Sequence, residues 1–466
     1  MRNITLKFLV ALICFLTAAT LTQDSAAQDD VYIKVGKGQI KKSLLALPAF
    51  QFFGSPSAAK NFKTVGAELY NTVNNDLDVS SYFQYIKPEA FLDDPAVVGL
   101  KPAPGEPNGF NYDNWKKIGT EFLVRAGFSM INDNITLDTY VYYVPQAKLV
   151  FGKKYQGPAS AVRKIAHTFS NDVLEKLTNK RGMFNSRLTV SSDRPTSKWK
   201  EIWVMDWDGA NPKQISQHKN ISIAPSWSPD GNTVVYTSST IHRKTMSGNW
   251  DLFSFELNTG KRFLVSSRSG LNMGASFFPD GKNLVVTISQ GGNPDIVKMS
   301  SDGEGFTKIT SGPAGAMNVE PAVSPDGKRI AFSSDRGDRP MIYVMNTDGT
   351  NIKRVTQAGN YNSTPTWSPD SKQIAFAGQD KDHYDIFLMD ADGMNMSRLT
   401  SAKKANGRWA SNEDPTFSPD GRHVMFISNR AGPYQLYIVN TDGTNERRIT
   451  ADRFNYSRPK WSQNLD

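Results

Sequence analysis

The chain has 466 residues, with 54 Lys and Arg against 45 Asp and Glu, and a formal net charge of +9. This length exceeds one ordinary domain and is sufficient for two hydrophobic cores. The basic residues are scattered singly or in pairs, which is typical of a solvated surface and not of a nucleic-acid-binding block. The single cysteine, Cys14, excludes a disulfide within the chain.

The first 27 residues have the three regions of a secretory signal peptide. Arg2 and Lys7 precede an apolar run at residues 8–19, and small residues follow at 25–27. This run of about 12 apolar residues is shorter than the roughly 20 that a membrane-spanning helix needs. We therefore expect export with cleavage after Ala27, and export argues against nucleic acid as a partner.

Residues 28–178 predict an α/β domain. At its start, Val31, Ile33 and Val35 alternate with Tyr32 and Lys34, which is the period of a β-strand. Such a segment can be an edge strand of its own domain, or a strand offered to a partner by edge addition. The residues themselves leave both alternatives open.

The rest of this domain alternates between strands and helices. Apolar runs predict strands over residues 44–50, 122–124, 131–144 and 149–155. Apolar residues three and four positions apart predict a helix over residues 58–75, a short helix over 112–117, and a last helix opened by Pro158. Four prolines predict a loop over residues 93–109. His167 lies in the last helix with no second His or Cys nearby, which indicates an ordinary surface or satisfied histidine.

Residues 179–186 predict a linker, and residues 187–466 contain a repeated turn. In each full repeat a large apolar residue precedes a Pro-Asp turn, and the turn aspartates are Asp230, Asp280, Asp326, Asp370 and Asp420. Their spacings of 50, 46, 44 and 50 residues fit the four-stranded blade of a β-propeller. Because proline presets such a turn and glycine closes it, turn geometry explains these aspartates without a metal or acid–base role.

The two ends of the repeat array are offset. The first repeat, from residue 187, has no first strand, whereas residues 458–462 match a first strand that has no second strand after it. A ring of six blades closes if the C-terminal strand pairs with the strand at Leu188, which removes two exposed sheet edges. We therefore predict a six-bladed β-propeller with circularly offset closure.

The strong catalytic signatures are absent from the sequence. It has no Gly-x-Ser-x-Gly elbow, no His-Glu-x-x-His motif and no phosphate-binding Gly-x-x-x-x-Gly-Lys loop. We therefore predict a protein without enzymatic activity, cofactor or metal. The alternative is a propeller-based hydrolase or lyase with its active site at the channel mouth, which convergent histidines and carboxylates with perturbed pKa values would favour.

The whole chain after residue 27 resembles the TolB family, the periplasmic propeller proteins of the Tol-Pal envelope system. The resemblance rests on the order of signal peptide, α/β domain and six Pro-Asp repeats with offset ends. Ala275, Phe278 and Ser371 depart from the repeat and weaken single turns. The resemblance implies a monomeric, non-enzymatic adaptor that binds the lipoprotein Pal and the protein TolA, and that supports outer-membrane integrity and cell division.

The resemblance also implies where the partners bind. TolA would bind the segment Asp30, Val31, Tyr32, Ile33, Lys34 and Val35. Pal would bind the channel mouth at which the inner strands begin, because its mixed Asn, aromatic, Met and Arg composition suits a protein interface. The predicted Pal-binding residues are Asn272, Met273, Asn318, Val319, Glu320, Arg336, Asn362, Thr364, Asn412, Glu413, Arg430 and Tyr456. In the alternative interpretation, the asparagines only satisfy the backbone of their turns.

Overall fold

The computed structural model describes residues 41–55, 60–194, 198–242, 247–290, 292–313 and 315–463. The predicted signal peptide and the predicted TolA-binding segment lie outside these residues, so both stay predictions. No helix in the described ranges is long and apolar enough to cross a membrane.

The N-terminal domain is a six-stranded mixed sheet with helices on its faces. Its strands are β1 (Ser43–Ala46), β2 (Gln51–Phe52), β3 (Phe83–Tyr85), β4 (Phe122–Ile131), β5 (Asn134–Tyr143) and β6 (Lys148–Pro158), and its helices are α1 (Phe62–Val79), α2 (Tyr112–Lys117) and α3 (Val162–Thr178). The strand order is β3-β1-β4-β5-β6, and β2 also pairs with β4. β1, β2, β3 and β4 pair in parallel, whereas β4, β5 and β6 pair antiparallel.

The pleat of β1, β4 and β5 separates two cores. Leu45, Val124 and Val141 face the large core under α1 and α3, whereas Leu123 and Tyr142 face a smaller core under α2. Successive residues of a strand point to opposite faces, so these continuous apolar runs are buried on both sides.

The structure corrects several predicted boundaries in this domain. The run at residues 44–50 is not one strand, because β1 ends at Ala46 and β2 starts at Gln51 beyond Pro48. The strand predicted over residues 131–144 is split by Asn132 and Asp133, whose φ angles of 47° and 64° form a turn between β4 and β5. Pro158 does not open the last helix: it is the last residue of β6, and α3 begins at Val162.

Residues 187–461 form six antiparallel four-stranded sheets arranged as blades around a channel. Blade 6 combines β7 (Arg187–Ser192), β8 (Glu201–Asp206) and β9 (Lys213–Gln214) with the C-terminal strand β30 (Tyr456–Trp461). Blade 1 has β10 (Ser222–Trp227), β11 (Thr233–His242), β12 (Ser247–Glu256) and β13 (Arg262–Ser266). Blade 2 has β14 (Asn272–Phe277), β15 (Asn283–Ile288), β16 (Asp295–Ser300) and β17 (Thr307–Lys308).

The remaining blades repeat the same order. Blade 3 has β18 (Asn318–Val323), β19 (Arg329–Ser334), β20 (Met341–Asn346) and β21 (Lys353–Arg354). Blade 4 has β22 (Asn362–Trp367), β23 (Gln373–Asp380), β24 (His383–Asp390) and β25 (Ser397–Arg398). Blade 5 has β26 (Asn412–Phe417), β27 (His423–Ser428), β28 (Gln435–Asn440) and β29 (Arg447–Arg448), and β30 is Tyr456–Trp461.

The predicted closure of the ring is confirmed. β30 pairs antiparallel with β7, with Trp461 opposite Leu188, and it forms the inner strand of blade 6. Trp461 is buried and its indole N–H donates to the Ser186 hydroxyl at 2.5 Å. The two ends of the repeat array are therefore joined in one sheet, and β7 is paired on both sides, by β30 and by β8.

The Pro-Asp turns end the inner strands as predicted. In blades 1, 3, 4 and 5 the serine hydroxyl before the proline donates to the turn aspartate at 2.5 to 2.6 Å. Ser371, which replaces the turn glycine in blade 4, has a φ of 60°, close to the 67° to 71° of the glycines at this position. The turn thus keeps its left-handed geometry despite the substitution.

Two faces of the propeller follow from this chain direction. We call the face at which the inner strands begin the start face; it also carries the loops between second and third strands. We call the opposite face the turn face, because it carries the Pro-Asp turns and the hairpin turns between third and fourth strands.

The N-terminal domain packs on the turn face of blades 5 and 6. Arg163 of α3 pairs with Asp206 at 3.1 Å and with Asp208 at 2.5 Å, beyond the end of β8. Arg447 of β29 pairs with Asp78 at the end of α1 at 2.9 Å. The start face is therefore free of contact with the described part of the N-terminal domain.

Candidate protein-binding face

The inner strands share an unusual backbone position near the start face. Each strand has a bulge, and its third residue has a positive φ of 52° to 65°. These residues line the channel and are Ala224, Gly274, Glu320, Thr364, Asp414 and Arg458. Non-glycine residues seldom adopt this conformation, and bulges of this kind re-aim side chains at functional sites. One backbone geometry thus places six different residues around the channel.

Three of these side chains form an ion-pair cluster. Inner strands contact one another in chain order around the ring, so blades 3 and 6 lie opposite each other. The Arg458 guanidinium spans the channel from blade 6, with Nη2 2.6 Å from Glu320 Oε1 and Nε 3.3 Å from Asp414 Oδ1. Glu320 also accepts the Thr364 N–H at 2.8 Å. The channel is therefore bridged near its start-face mouth.

The charges in the channel balance one another. Burial alone would raise the pKa of Glu320, but Arg458 and the Thr364 N–H outweigh it and lower the pKa. Burial alone would lower the pKa of Arg458, but Glu320 and Asp414 outweigh it and raise the pKa. Burial and the neighbouring Arg458 lower the pKa of Lys460, which lies deeper in the channel. Two carboxylates thus face two basic side chains.

Five of the predicted Pal-binding residues are buried. They are the first residues of their inner strands, Asn272, Asn318, Asn362, Asn412 and Tyr456, and each is at most 2% exposed. Asn272, for example, accepts the Ser266 hydroxyl at 2.6 Å and donates to the carbonyls of Trp250 and Arg268. Their side chains are occupied within the blades, which agrees with the structural alternative for the asparagines.

Arg336 and Arg430 hold two of these asparagines in place. Arg336 donates to Asn318 Oδ1 at 2.6 Å, and Arg430 donates to Asn412 Oδ1 at 2.8 Å. Each guanidinium also lies over aromatic rings of its own blade, such as Tyr437 at 4.4 Å from Arg430. Both arginines therefore have a structural role, which the sequence did not reveal because the partners are 18 residues apart.

The other predicted residues are partly accessible at the start face. Met273, Val319, Glu320, Thr364 and Glu413 are neither fully buried nor fully exposed. Burial raises the pKa of Glu413, and the hydroxyl of Tyr434 donates to its carboxylate at 2.7 Å. The structure thus brings all twelve predicted residues to one face, but it leaves only part of them available to a partner.

An apolar ring was missed by the sequence analysis. In four of the six blades an apolar residue immediately precedes the inner strand, and we call these four residues the apolar ring. Ile221, Met317 and Tyr361 are 43%, 42% and 38% exposed, and Leu271 is half-buried. Each lies nine residues before its turn aspartate. This constant spacing is the sequence signal that could have revealed them, because apolar residues grouped at exposed positions indicate an interaction surface.

The channel and the domain interface differ in the groups they could use for chemistry. No histidine is among the described residues that line the channel. His167, Asp206 and Asp208 do converge within 4.8 Å at the domain interface. The Arg163 guanidinium, however, already bonds both carboxylates, so the chain's own cation takes the place that a metal would need.

Comparison with known proteins identifies the family. The model of the TolB β-propeller domain matches residues 174–465, and the model of the TolB amino-terminal domain matches residues 31–150. The chain belongs to the TolB family. Its fold, an α/β domain followed by a six-bladed propeller, is the one that the sequence predicted.

Individual relatives carry the same name. The Tol-Pal system protein TolB of Desulfosudis oleivorans is 31% identical over 279 residues, which are 60% of this chain and 60% of that protein. The Tol-Pal system protein TolB of Syntrophotalea carbinolica is 35% identical over 180 residues, or 39% of this chain and 40% of that protein. The chain therefore spans 60% and 40% of the length of these two curated relatives in the matched regions.

A solved structure supports the fold over nearly the whole chain. The crystal structure of TolB from Acinetobacter baumannii matches with a TM-score of 0.73 and 24% identity, covering 93% of this chain and 100% of that one. At this identity the likeness concerns the fold, because unrelated functions share folds.

Proposed function

We propose that this TolB-family protein is a non-enzymatic, periplasmic adaptor of the Tol-Pal system. It binds Pal through the start face and TolA through residues 30–35, with the signal peptide removed after Ala27, and it thereby supports outer-membrane integrity and cell division. The observation that carries the Pal site is the start face itself, which is uncovered and combines an apolar ring with a charged channel mouth.

The chemistry of the start face suits a protein partner. Protein interfaces combine a desolvated apolar centre with a polar rim, and a few aromatic, Met or Arg residues dominate their energy. Met317 and Tyr361 offer exposed side chains on the face that also carries Val319 and Met273. The Glu320–Arg458 pair adds charges whose positions are fixed by the channel. The turn face offers the same turn in blade after blade, which specifies a partner poorly.

The accessible residues give the sharper test of the Pal site. We expect Met317→Asp and Tyr361→Ala to weaken Pal binding about tenfold or more, because interface anchors cost upwards of about 1.4 kcal/mol. Calorimetric titration of the chain from residue 28 with Pal measures this. Lys282→Glu and Lys328→Glu, both in exposed Pro-Asp turns, serve as matched controls. Affinity that responds to the controls and not to the ring would reject the site.

The TolA site is tested separately. Deleting residues 28–35 removes the alternating segment that edge addition would use, so TolA binding should be lost while Pal binding is kept. TolA affinity that survives this deletion would return the segment to the role of an ordinary edge strand. A chain that binds neither protein but turns over a small substrate would favour the hydrolase or lyase alternative.

A further inference from the structure

The propeller channel encloses a cavity of about 360 Å³ that extends from the ion-pair cluster to the Pro-Asp turns. All of the described residues that line this cavity belong to the propeller, and none belongs to the N-terminal domain. Its volume lies in the range of small-molecule sites, which are mostly apolar and contain a few polar groups that orient the ligand.

One cation in this cavity has no direct partner. Lys460 of β30 is partly accessible and lies two residues beyond Arg458, towards the turn face. Both oxygens of Glu320 are already engaged, by Arg458 at 2.6 Å and by the Thr364 N–H at 2.8 Å. Those of Asp414 are engaged by the side chain and the backbone N–H of Arg458, at 3.3 and 2.8 Å. No described residue forms a hydrogen bond or an ion pair with the Lys460 ammonium.

The other residues at the height of Lys460 are small and mostly polar. Each is the fifth residue of its inner strand and has the same register with the second strand of its blade. The hydroxyls of Ser226 and Thr366 make no hydrogen bond to a described residue, so they are free to donate. We call the six residues at this height the Lys460 layer: Ser226, Ser276, Ala322, Thr366, Thr416 and Lys460.

Prolines line the cavity on both sides of the Lys460 layer. A proline has no backbone N–H and presents an apolar side chain, so these positions add carbon surface and no donor. Five prolines lie on the start-face side, Pro225, Pro321, Pro365, Pro415 and Pro459. Five lie in the turns, Pro229, Pro279, Pro325, Pro369 and Pro419. A ligand in this cavity would therefore meet one cation and several hydroxyls between two apolar surfaces.

We propose that the channel binds a small monocarboxylate with a short apolar chain, of the class of the short-chain fatty acids. Its carboxylate would pair with the Lys460 ammonium and accept hydrogen bonds from the Ser226 and Thr366 hydroxyls, because charge-assisted bonds are the strong ones. Its apolar chain would lie against the prolines. A single negative charge fits this site, since Lys460 supplies one positive charge and the nearby Glu320 and Asp414 would repel a second negative charge.

Two substitutions test the site without breaking a hydrogen bond or an ion pair between described residues. Lys460→Met removes the ammonium and keeps a long side chain. Because an ion without a direct partner is costly to bury, this variant should melt at no lower temperature than the parent chain in buffer without carboxylate. Thr366→Val removes one hydroxyl of the Lys460 layer and keeps the branched shape. Lys372→Met, in a Pro-Asp turn where the side chain is 80% exposed, is the matched control.

The experiment is calorimetric titration of the chain from residue 28 with sodium butyrate, sodium acetate and butyramide at pH 7 and constant ionic strength. We expect saturable butyrate binding to the parent and Lys372→Met chains. Butyrate should bind about tenfold more tightly than acetate, because it buries two more methylene groups. Lys460→Met should weaken butyrate binding about tenfold or more, and Thr366→Val should weaken it about fivefold.

The neutral amide separates recognition of the charge from recognition of the apolar chain. Butyramide has the chain of butyrate without its charge, so it should bind about tenfold more weakly or less tightly still. A rise in melting temperature with butyrate that Lys460→Met abolishes would support the proposal. Four results would overturn it: no saturable butyrate binding at millimolar concentration, unchanged affinity in both Lys460→Met and Thr366→Val, butyramide binding as tightly as butyrate, or acetate binding as tightly as butyrate.

Discussion

The two faces of the propeller are built from the same six blades, yet they differ in how far their residues repeat. On the turn face, the serine-to-aspartate bond recurs in four blades with nearly the same length. On the start face, the left-handed position of the inner strand is also constant, but its residue is Ala, Gly, Glu, Thr, Asp or Arg. The Pro-Asp turn is held by its own side chains, so its sequence recurs from blade to blade. The bulge of the inner strand is held by the backbone pairing of the sheet, so its side chains can differ and serve a function.

The largest expected change in stability comes from removing the closing strand β30, on which the structure of both propeller faces depends. Deleting residues 458–466 removes most of β30, including Trp461, and leaves β7 without its inner partner. Loss of a buried Trp alone costs about 3–5 kcal/mol, so we expect a melting temperature far below that of the intact chain. Trp409→Ala, in a residue that is 40% exposed, is the control. An unchanged melting temperature after truncation would contradict the shared-blade closure.

The second prediction compares an ion pair from each face. Arg458 and Glu320 cross the channel at 2.6 Å, whereas Lys372 and Asp370 on the turn face are 4.0 Å apart and largely exposed. Double-mutant cycles with Arg458→Met and Glu320→Gln should give a coupling energy of about 0.5–3 kcal/mol in urea unfolding. The Lys372–Asp370 cycle should give about 0–1 kcal/mol because water screens it. Equal couplings would mean that the channel pair is as solvated as the surface pair.

The fold was predictable because its signals are local in sequence. The turn spacing, the offset ends and helix α2 at residues 112–117 each follow from residues close together in the chain. The ion-pair cluster was not predictable, because Arg458 and Glu320 lie in opposite blades and no sequence period pairs them. His167 was expected to be an ordinary surface or satisfied histidine, and it is satisfied by Asp76 of α1, a partner 91 residues away that the sequence did not reveal. Contacts between repeats or between domains can be identified only once the three-dimensional arrangement is known.

The third prediction concerns pH and the contact between the N-terminal domain and the turn face. His167 faces Asp76 of α1 at 2.9 Å, Arg163 of its own helix at 3.3 Å, and Asp206 and Asp208 of blade 6. Burial alone would lower the pKa of His167, but Asp76 and Asp208 outweigh it and raise the pKa above 6.5. The stability from this proton is thus fully present below pH 6.5 and is lost as pH rises through the raised pKa.

We expect the free energy of unfolding of the parent chain to fall relative to that of His167→Gln as the pH rises from 6 to 9. The slope should be at most about 1.4 kcal/mol per pH unit between the unfolded and folded pKa values. Lys164→Gln, at an exposed position of α3, is the control and should follow the parent. Parallel curves for the parent and His167→Gln would show that His167 does not titrate across this range.

The smallest expected effect separates a free copy of the turn from the copy that the N-terminal domain covers. Asp326 in blade 3 is exposed and accepts the Ser324 hydroxyl at 2.6 Å and the Lys328 N–H at 3.1 Å. Asp326→Ala removes both bonds from a solvated turn, so by analogy with a helix cap we expect a loss of about 0.5–1 kcal/mol in urea unfolding. Asp420→Ala should cost more, because it leaves Ser418 and the backbone at the domain interface without their acceptor. If both substitutions cost the same, the N-terminal domain does not distinguish the turn beneath it from the four that it leaves uncovered.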